Sequence, residues 1–312
     1  MIGIKKLIMR LLAGMLCIST VFCMSGCGLL QAAFRHFVRN RVSDALSSDD
    51  VSSAEEEVYQ SPYDGAQGSA GSLTGRTLMI SIYTNDAGTS WDETSEADSA
   101  VIYDALDNLR ISTEYLTAQA ARYGSDAEFI WDWELNPDLR YNASFTESLV
   151  TEFGDYYEVQ KNWIEQHIDI DALKNKYRAD NVIYLFFFNT DYSNQVNPWY
   201  LGYSCSPEYY VEFCNIFVRF DDVFVTMPPS YAHEIMHCFG AHDLYYANEF
   251  IPQQYVDHLG KIYSNDIMYT VYDSKDIGNE FTDLDAYYVG LIDECAEVDK
   301  WNLAKSEHLT FG

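Results

Sequence analysis

The sequence predicts an α/β domain, and three segments carry that prediction. Residues 77 to 83 alternate in the manner of a strand. Residues 95 to 123 form a long amphipathic stretch typical of a helix, with acidic residues early and Gly124 directly after it. Residues 182 to 188, VIYLFFF, are a continuous apolar run, which indicates a strand buried on both faces. Strands and helices that alternate along the chain favour a mixed α/β sheet.

Further segments extend this pattern. Residues 128 to 135 alternate again and predict a strand, and residues 155 to 178 predict one or two helices. Residues 211 to 226 are expected to form a hairpin that turns at Asp221-Asp222. A helix is predicted over residues 229 to 239, since two prolines stand at its start and proline suits the first turn of a helix.

The start of the chain has the composition of an export signal. The first ten residues include three basic side chains, residues 11 to 24 are mostly apolar, and Ser25 and Gly26 precede Cys27. A small residue pair directly before cysteine resembles the lipobox of bacterial lipoproteins. The resemblance implies that Cys27 is lipidated and anchors the mature protein to the outer face of a bacterial cell membrane.

The composition divides the chain into three parts. Residues 1 to 26 are the predicted lipoprotein signal peptide. Residues 27 to 75 are interpreted as a flexible, lipid-anchored tether, because much of this stretch is Ser, Asp, Glu and Gly and cannot bury enough apolar surface to offset its ordering entropy. Residues 76 to 312 are long enough for one domain with a full core and show no internal repeat.

The charge of the chain excludes one class of partner. After the signal there remain 16 basic and 48 acidic residues, a net charge of about −32 at neutral pH. Such an acidic surface repels phosphate backbones, so nucleic acid is not an expected partner.

Four cysteines follow Cys27, and an even number in an exported protein permits disulfides. They are Cys205, Cys214, Cys238 and Cys295. Cys205 and Cys214 are close in sequence and could close a small loop, while other pairings stay open.

The predicted helix over residues 229 to 239 carries a metal-binding pattern. His233 and His237 are four residues apart, so both imidazoles lie on one face and can occupy two adjacent tetrahedral positions of a zinc ion. Glu234 is placed to deprotonate a metal-bound water. The pattern H-E-x-x-H would arise by chance in a chain of this composition about once in a hundred.

Gly240 and Asp243 make the pattern more specific. Glycine tolerates the left-handed conformation that ends a helix, and Asp243 follows three residues later. The string H-E-x-x-H-x-x-G-x-x-D resembles the zinc-binding signature of the metzincin metallopeptidases, in a variant with aspartate as third ligand. Met268, in the string SNDIMYT, resembles the methionine turn of the same family.

The resemblance implies a fold and a chemistry. A metzincin-like zincin domain has a twisted sheet of about five strands, a long backing helix and an active-site helix. Zn²⁺ held by His233, His237 and Asp243 would activate water, Glu234 would act as general base, and a cell-surface endopeptidase would hydrolyse peptide bonds. The protein or peptide substrate would lie extended along an edge strand formed by part of residues 211 to 226.

Other interpretations of the same residues stay open. His242 could replace Asp243 as ligand, and a gluzincin-like site would use a later glutamate such as Glu249 or Glu280. The protein could also be a surface-exposed binding lipoprotein that uses its tyrosine-rich segment, residues 198 to 210, with vestigial or no hydrolysis.

Overall fold

The structure is a computed structural model of the 312-residue chain. It describes residues 69 to 149, 157 to 191, 211 to 219, 226 to 272, 274 to 306, and 308. Several predicted features lie outside these residues: the signal peptide, Cys27, most of the tether, the tyrosine-rich segment, Cys205 and the turn at Asp221-Asp222. Among the described residues, no helix has both the length and the apolar character needed to span a membrane.

Five parallel strands form the sheet. They are β1 (Arg76–Asn85), β2 (Glu128–Ile130), β3 (Arg140–Ser144), β4 (Asn181–Asp191) and β5 (Phe213–Arg219). Their order is β2, β1, β4, β5, and β3 also pairs with β1. Strand β2 pairs with the start of β1 and β3 with its end, whereas β4 pairs along nearly its whole length. Strands β2 and β3 therefore share one edge of β1.

The prediction of an α/β domain with about five strands is confirmed. The sheet was expected to be mixed, but every pairing between the described strands is parallel. The predicted strand over residues 128 to 135 is confirmed only as far as Ile130, because the Asp132 carboxylate accepts the backbone N–H of Glu134 in a turn. At the predicted hairpin, Thr226 N–H donates to the Val218 carbonyl at 2.9 Å.

Seven α-helices lie in the described residues. They are α1 (Glu96–Arg122), α2 (Tyr157–His167), α3 (Ile170–Tyr177), α4 (Pro228–Cys238), α5 (Gln253–Ile262), α6 (Asp283–Tyr288) and α7 (Ala296–Trp301). The predicted long helix begins where the Ser95 side chain accepts the N–H of Asp98. Helix α3 begins in the same way, where Asp169 accepts the N–H of Ala172, so residues 155 to 178 hold two helices.

The helices cover both faces of the sheet, as the apolar character of β4 requires. Neighbouring side chains on β4 point to opposite faces. Phe186 packs against Trp163 of α2 at 6.4 Å between ring centroids, and Phe187 packs against Tyr231 of α4 at 6.2 Å. The predicted strand buried on both faces is thus confirmed.

Helix α1 fixes the start of α4, which carries the predicted metal ligands. The Ser112 hydroxyl of α1 donates to the Pro228 carbonyl at 2.9 Å. The Asn108 amide, also on α1, donates to the Thr226 carbonyl at 2.7 Å. These bonds satisfy buried polar groups on both segments and fix the position of the N-terminus of α4 along the long helix.

Residues 69 to 75 are packed, although the sequence favoured a flexible tether up to residue 75. Ala70 and Leu73 are fully buried. The buried Glu212 carboxylate accepts the N–H of Ala70 at 2.6 Å and the hydroxyl of Ser69 at 2.8 Å. The packed chain therefore already includes Ser69, ahead of the boundary predicted at residue 76.

Candidate metal centre

The two histidines of α4 face one another across one helical turn. The Nε2 atoms of His233 and His237 are 3.2 Å apart. His233 is buried, and only 15% of the His237 side chain is exposed. The predicted spacing thus brings both rings to one point on the inner face of the helix.

The end of α4 is formed by the predicted glycine. Gly240 has a φ of 97°, which strongly favours glycine. Its N–H donates to the His237 carbonyl at 2.9 Å, and the N–H of Ala241 donates to the Met236 carbonyl at 3.0 Å. These two bonds form a Schellman motif, which ends the helix and turns the chain back toward the histidines.

The returning chain brings Asp243 to the histidine pair. Its Oδ1 atom is 3.1 Å from Nε2 of His233 and 3.3 Å from Nε2 of His237. The three residues predicted as ligands therefore converge on one point, with one atom from each.

Hydrogen bonds to the backbone determine which nitrogen of each ring faces this point. Nδ1 of His233 is 2.9 Å from the Ile267 carbonyl, and Nδ1 of His237 is 2.7 Å from the Ala241 carbonyl. A carbonyl oxygen only accepts, so both Nδ1 atoms carry the proton and the neutral rings present bare Nε2 lone pairs. Asp243 Oδ1 is buried and has no hydrogen-bond partner. Three electron-rich atoms thus meet without a donor, an arrangement that calls for a proton or a cation.

The spacing of the three atoms fits a tetrahedral zinc ion. Zinc bonds to nitrogen and carboxylate oxygen of about 2.0 to 2.2 Å place neighbouring ligand atoms roughly 3.3 to 3.6 Å apart in a tetrahedron, slightly more than the separations seen here. The observed separations are 3.1, 3.2 and 3.3 Å. Two imidazoles and a carboxylate are also ligands that zinc accepts, and they leave the fourth position for water or substrate.

The pKa values around this point reflect the same demand for positive charge. Burial would lower the pKa of His237, but the Asp243 carboxylate, 3.3 Å from Nε2, raises it to about 9. Burial would likewise raise the pKa of Asp243, yet the imidazoles of His233 and His237, 3.1 and 3.3 Å from Oδ1, hold it well below its usual range. A proton is therefore held between these groups when no metal is present.

Glu234 lies beside the three ligand atoms and is not one of the closest. Its Oε1 atom is 3.8 Å from Nε2 of His233. Its side chain is buried, and Oε2 has no hydrogen-bond partner. Burial raises the pKa of Glu234, and the two histidines only partly oppose that rise. A buried carboxylate with a raised pKa can both take up and release a proton, as a general base requires.

The loop of Met268 holds the site from the opposite side. Ile267 supplies the carbonyl that orients His233, and the Met268 carbonyl accepts the N–H of Leu244 at 2.9 Å. The Asp266 carboxylate accepts the N–H of Met268 at 2.8 Å and keeps the loop turned. Met268 is fully buried. The predicted methionine turn therefore contacts both ligand-bearing segments through its backbone.

The alternative ligands are placed elsewhere. The His242 ring stacks on Phe250 at 4.4 Å and meets Tyr288 edge-on at 4.8 Å. Burial and the nearby charge of His237 lower the pKa of His242 to about 4. Glu249 and Glu280 are both exposed. Packing thus accounts for His242, as expected for a residue that faces away from Asp243.

Tyr245 is a site residue that the sequence pattern did not single out. Its ring lies 6.4 Å from the His233 ring, and 39% of the residue is exposed. Burial and the nearby charges of Asp243 and Glu234 raise the pKa of Tyr245. In the sequence, only its position two residues after Asp243 indicated that Tyr245 could lie near the site. The turn that places its ring beside His233 depends on contacts with segments distant in sequence.

Comparison with known proteins finds no relative of this chain. No protein-family model matches the chain, and no curated protein is similar enough to be counted as related.

Proposed function

We propose that this protein is a zinc-dependent endopeptidase of the metzincin type. The observation that carries the proposal is the convergence of two Nε2 atoms and one carboxylate oxygen, 3.1 to 3.3 Å apart, beside the buried Glu234. No hydrogen-bond donor faces Asp243 Oδ1, and Oε2 of the neighbouring Glu234 has no hydrogen-bond partner either. This combination suits metal-assisted hydrolysis better than a structural metal, which would not need Glu234.

The residues of the site have separate roles in this proposal. Zn²⁺, when bound, lowers the pKa of a coordinated water and polarises a substrate carbonyl. His233, His237 and Asp243 bind the metal, and the Ile267 and Ala241 carbonyls keep the two rings in the required tautomer. Glu234 takes a proton from the attacking water and delivers it to the leaving amine.

The surrounding fold supports the metzincin assignment. A long helix of 27 residues packs behind the sheet and against α4, which carries the histidines. Gly240 ends α4 where the family signature has its glycine, and the Met268 loop contacts the ligand segments as the methionine turn of that family would. These features are specific in combination, since each alone occurs in many α/β proteins.

We also propose that the enzyme acts outside the cell, anchored through Cys27. The sequence of residues 1 to 27 supports this location, and protein or peptide is the expected substrate class. Replacing Cys27 by Ser should leave the protein unprocessed or release it into the medium. Unchanged partition into the membrane fraction would count against lipid anchoring.

The activity is tested with three forms of the mature protein: the parent, Glu234→Gln and His237→Ala. Zinc content and cleavage of an unfolded protein such as casein are measured on the same samples. The parent should bind about one zinc per chain and cleave. Glu234→Gln should keep the zinc but lose roughly a hundred- to ten-thousand-fold in rate. His237→Ala should lose both.

Glu249→Gln is the matched control, because Glu249 is exposed, whereas Glu234 is buried beside the ligand atoms. It should behave as the parent in both measurements. If the parent binds zinc and cleaves nothing, the binding-lipoprotein interpretation is favoured. Equal rates for Glu234→Gln and the parent would rule out the proposed mechanism.

A further inference from the structure

Two buried cysteines face each other behind the histidine helix. Cys214 lies on β5 and Cys238 is the last residue of α4. Their Sγ atoms are 3.3 Å apart, and both residues are fully buried. The contact joins the sheet to the helix that carries the predicted metal ligands.

The strand period explains why Cys214 points toward α4. Phe213 stacks on Tyr157 of α2 on one face of the sheet, with 5.5 Å between ring centroids. Cys214 therefore points to the other face. There its thiol donates to the Glu234 carbonyl at 3.2 Å and meets Cys238, the residue next to His237.

We propose that Cys214 and Cys238 form a disulfide bond in the exported protein. In a disulfide the sulfurs are about 2.05 Å apart, so the two atoms must approach by little more than about 1 Å. Each thiol gives up its proton as the sulfur–sulfur bond forms. The two electrons pass to an acceptor disulfide, of a thiol–disulfide oxidoreductase or a small-molecule disulfide, which becomes two thiols.

The geometry favours this pairing over the loop between Cys205 and Cys214 that the sequence suggested. Cys214 already has a sulfur partner at contact distance, and that partner is not Cys205. Cys214, Cys238 and Cys295 are all free thiols in this structure, and the sulfur–sulfur contact at 3.3 Å is between Cys214 and Cys238. The proposed export would place the chain in an oxidising compartment, where such contacts become bonds during folding. Since both sulfurs are buried, the finished bond is shielded from reductants while the protein is folded and becomes reducible when it unfolds.

The bond would tie the ligand-bearing helix to the sheet. It would close a loop between residues separated by 24 positions, which restricts the unfolded chain. It would also fix the last turn of α4 directly beside His237. We therefore expect it to raise the melting temperature by on the order of 10 °C. The inference goes beyond the proposed peptidase activity and does not depend on it.

Disulfide mapping tests the pairing in the full chain, exported with its own signal. Thiols are blocked with N-ethylmaleimide in denaturant without reductant, and the protein is cut with trypsin. Cleavage after Arg219 leaves Cys205 and Cys214 on one peptide and Cys238 on the next. A glutamate-specific protease then cuts at Glu208 or Glu212 and separates Cys205 from Cys214.

The expected result is one cross-linked species that contains Cys214 and Cys238 and disappears on reduction. Two fully blocked thiols at these positions would overturn the proposal, and so would a bond between Cys205 and Cys214. Mapping needs no catalytic activity, so its outcome is independent of the hydrolysis test.

Thermal unfolding with and without reductant gives a second readout. The parent should melt lower with reductant, by on the order of 10 °C. The double variant Cys214→Ala and Cys238→Ala should melt at the same temperature in both conditions. Cys295→Ala is the control and should keep the response of the parent. An equal response in the double variant would contradict the assigned pair.

Discussion

The Nε2 atoms of His233 and His237 lie 3.2 Å apart while both Nδ1 atoms are engaged by backbone carbonyls. Two unshared pairs at that distance repel one another unless a positive charge lies between them. Asp243 adds a third electron-rich atom instead of a donor. The protein holds this arrangement by a helix, a Schellman turn and the Met268 loop, so the fold gathers three acceptor atoms at a point where a proton or a cation would be stabilised.

Asp243 and His242 should differ sharply in their effect on zinc binding. Asp243→Ala removes the oxygen that lies 3.1 and 3.3 Å from the two histidines. The zinc affinity should fall by more than the roughly 10- to 100-fold that loss of an outer hydrogen bond costs. His242→Ala removes a ring that stacks on Phe250 and should leave the zinc affinity within a few-fold of the parent. Competition titration with a chromophoric chelator measures both.

His242→Ala should still lower the melting temperature, because its ring packs against Phe250 and Tyr288. This separates a packing role from a ligand role in one variant. The reverse order of zinc affinities, with His242→Ala the weaker binder, would identify a shifted site with three histidines.

Zinc affinity should rise with pH across the neutral range. Asp243 raises the pKa of His237 to about 9 against the effect of burial, so the metal-free protein holds a proton that zinc must displace. The apparent affinity should increase by up to about tenfold per pH unit below about pH 9 and then level off. Isothermal titration in two buffers of different ionisation enthalpy should report the release of a proton.

His242→Ala is the control for this pH dependence. Its pKa is lowered to about 4, so it stays neutral across the same range and its removal should leave the slope unchanged. A pH-independent affinity in the parent would mean that the proton is not held at the ligand cluster.

The local parts of this site could be predicted from the sequence. Helical spacing alone puts His233 and His237 on one face, and Gly240 adopts the positive φ that its place after a helix predicts. The register argument that separates Asp243 from His242 also depends only on neighbouring residues. Each of these features is set by backbone geometry within a few positions.

The remaining parts depend on contacts between distant segments. The carbonyl of Ile267 reaches His233 from 34 positions away, and Cys214 meets Cys238 across 24. Spacing rules say nothing about such pairs until the sheet and helices are assembled. The place of Tyr245 beside His233 likewise depends on the turn that follows α4. The parallel direction of β5 relative to β4 could not be predicted either, since the alternation within a strand shows neither its partner nor their relative direction.

Gly240→Ala should reduce both stability and zinc affinity. At a φ of 97° a Cβ is strained, which costs about 1 to 2 kcal/mol. The Schellman turn also positions the Ala241 carbonyl for His237 and leads the chain to Asp243. Gly124→Ala is a matched control: it caps α1 at a φ of 81° with open space around it. It should cost similar stability and leave zinc affinity unchanged. Equal zinc affinity in both variants would show that the Schellman turn at Gly240 does not position the zinc ligands.

A buried pair of carboxyl groups supports the Met268 loop at a cost in stability. Burial raises the pKa of Asp266 to about 6, and burial together with the charge of Asp266 raises the pKa of Asp285 well above its usual value. The Thr282 hydroxyl lies 3.0 Å from Asp266 and 3.3 Å from Asp285. One proton shared by the pair is therefore expected at neutral pH.

Asp285→Asn should stabilise the protein at neutral and higher pH but not at acid pH. The pKa of an aspartate in the unfolded chain is near 4, and the folded protein raises the pKa of Asp266 to about 6. A group with a raised pKa contributes its full stability below the unfolded pKa and loses it as the pH rises through the folded pKa. An amide in place of Asp285 removes the second buried carboxyl group, whose charge would repel that of Asp266. The amide oxygen can still accept the N–H of Thr282, which donates to Asp285 at 2.8 Å in the parent. The melting temperature should rise by a few degrees at pH 8 and change little at pH 4.5, as measured by circular dichroism.

Asp283→Asn, which removes an exposed carboxylate from the same helix, should give no such pH-dependent gain. A loss of stability at pH 8 in Asp285→Asn would mean that the pair is held by a favourable hydrogen bond that outweighs the repulsion.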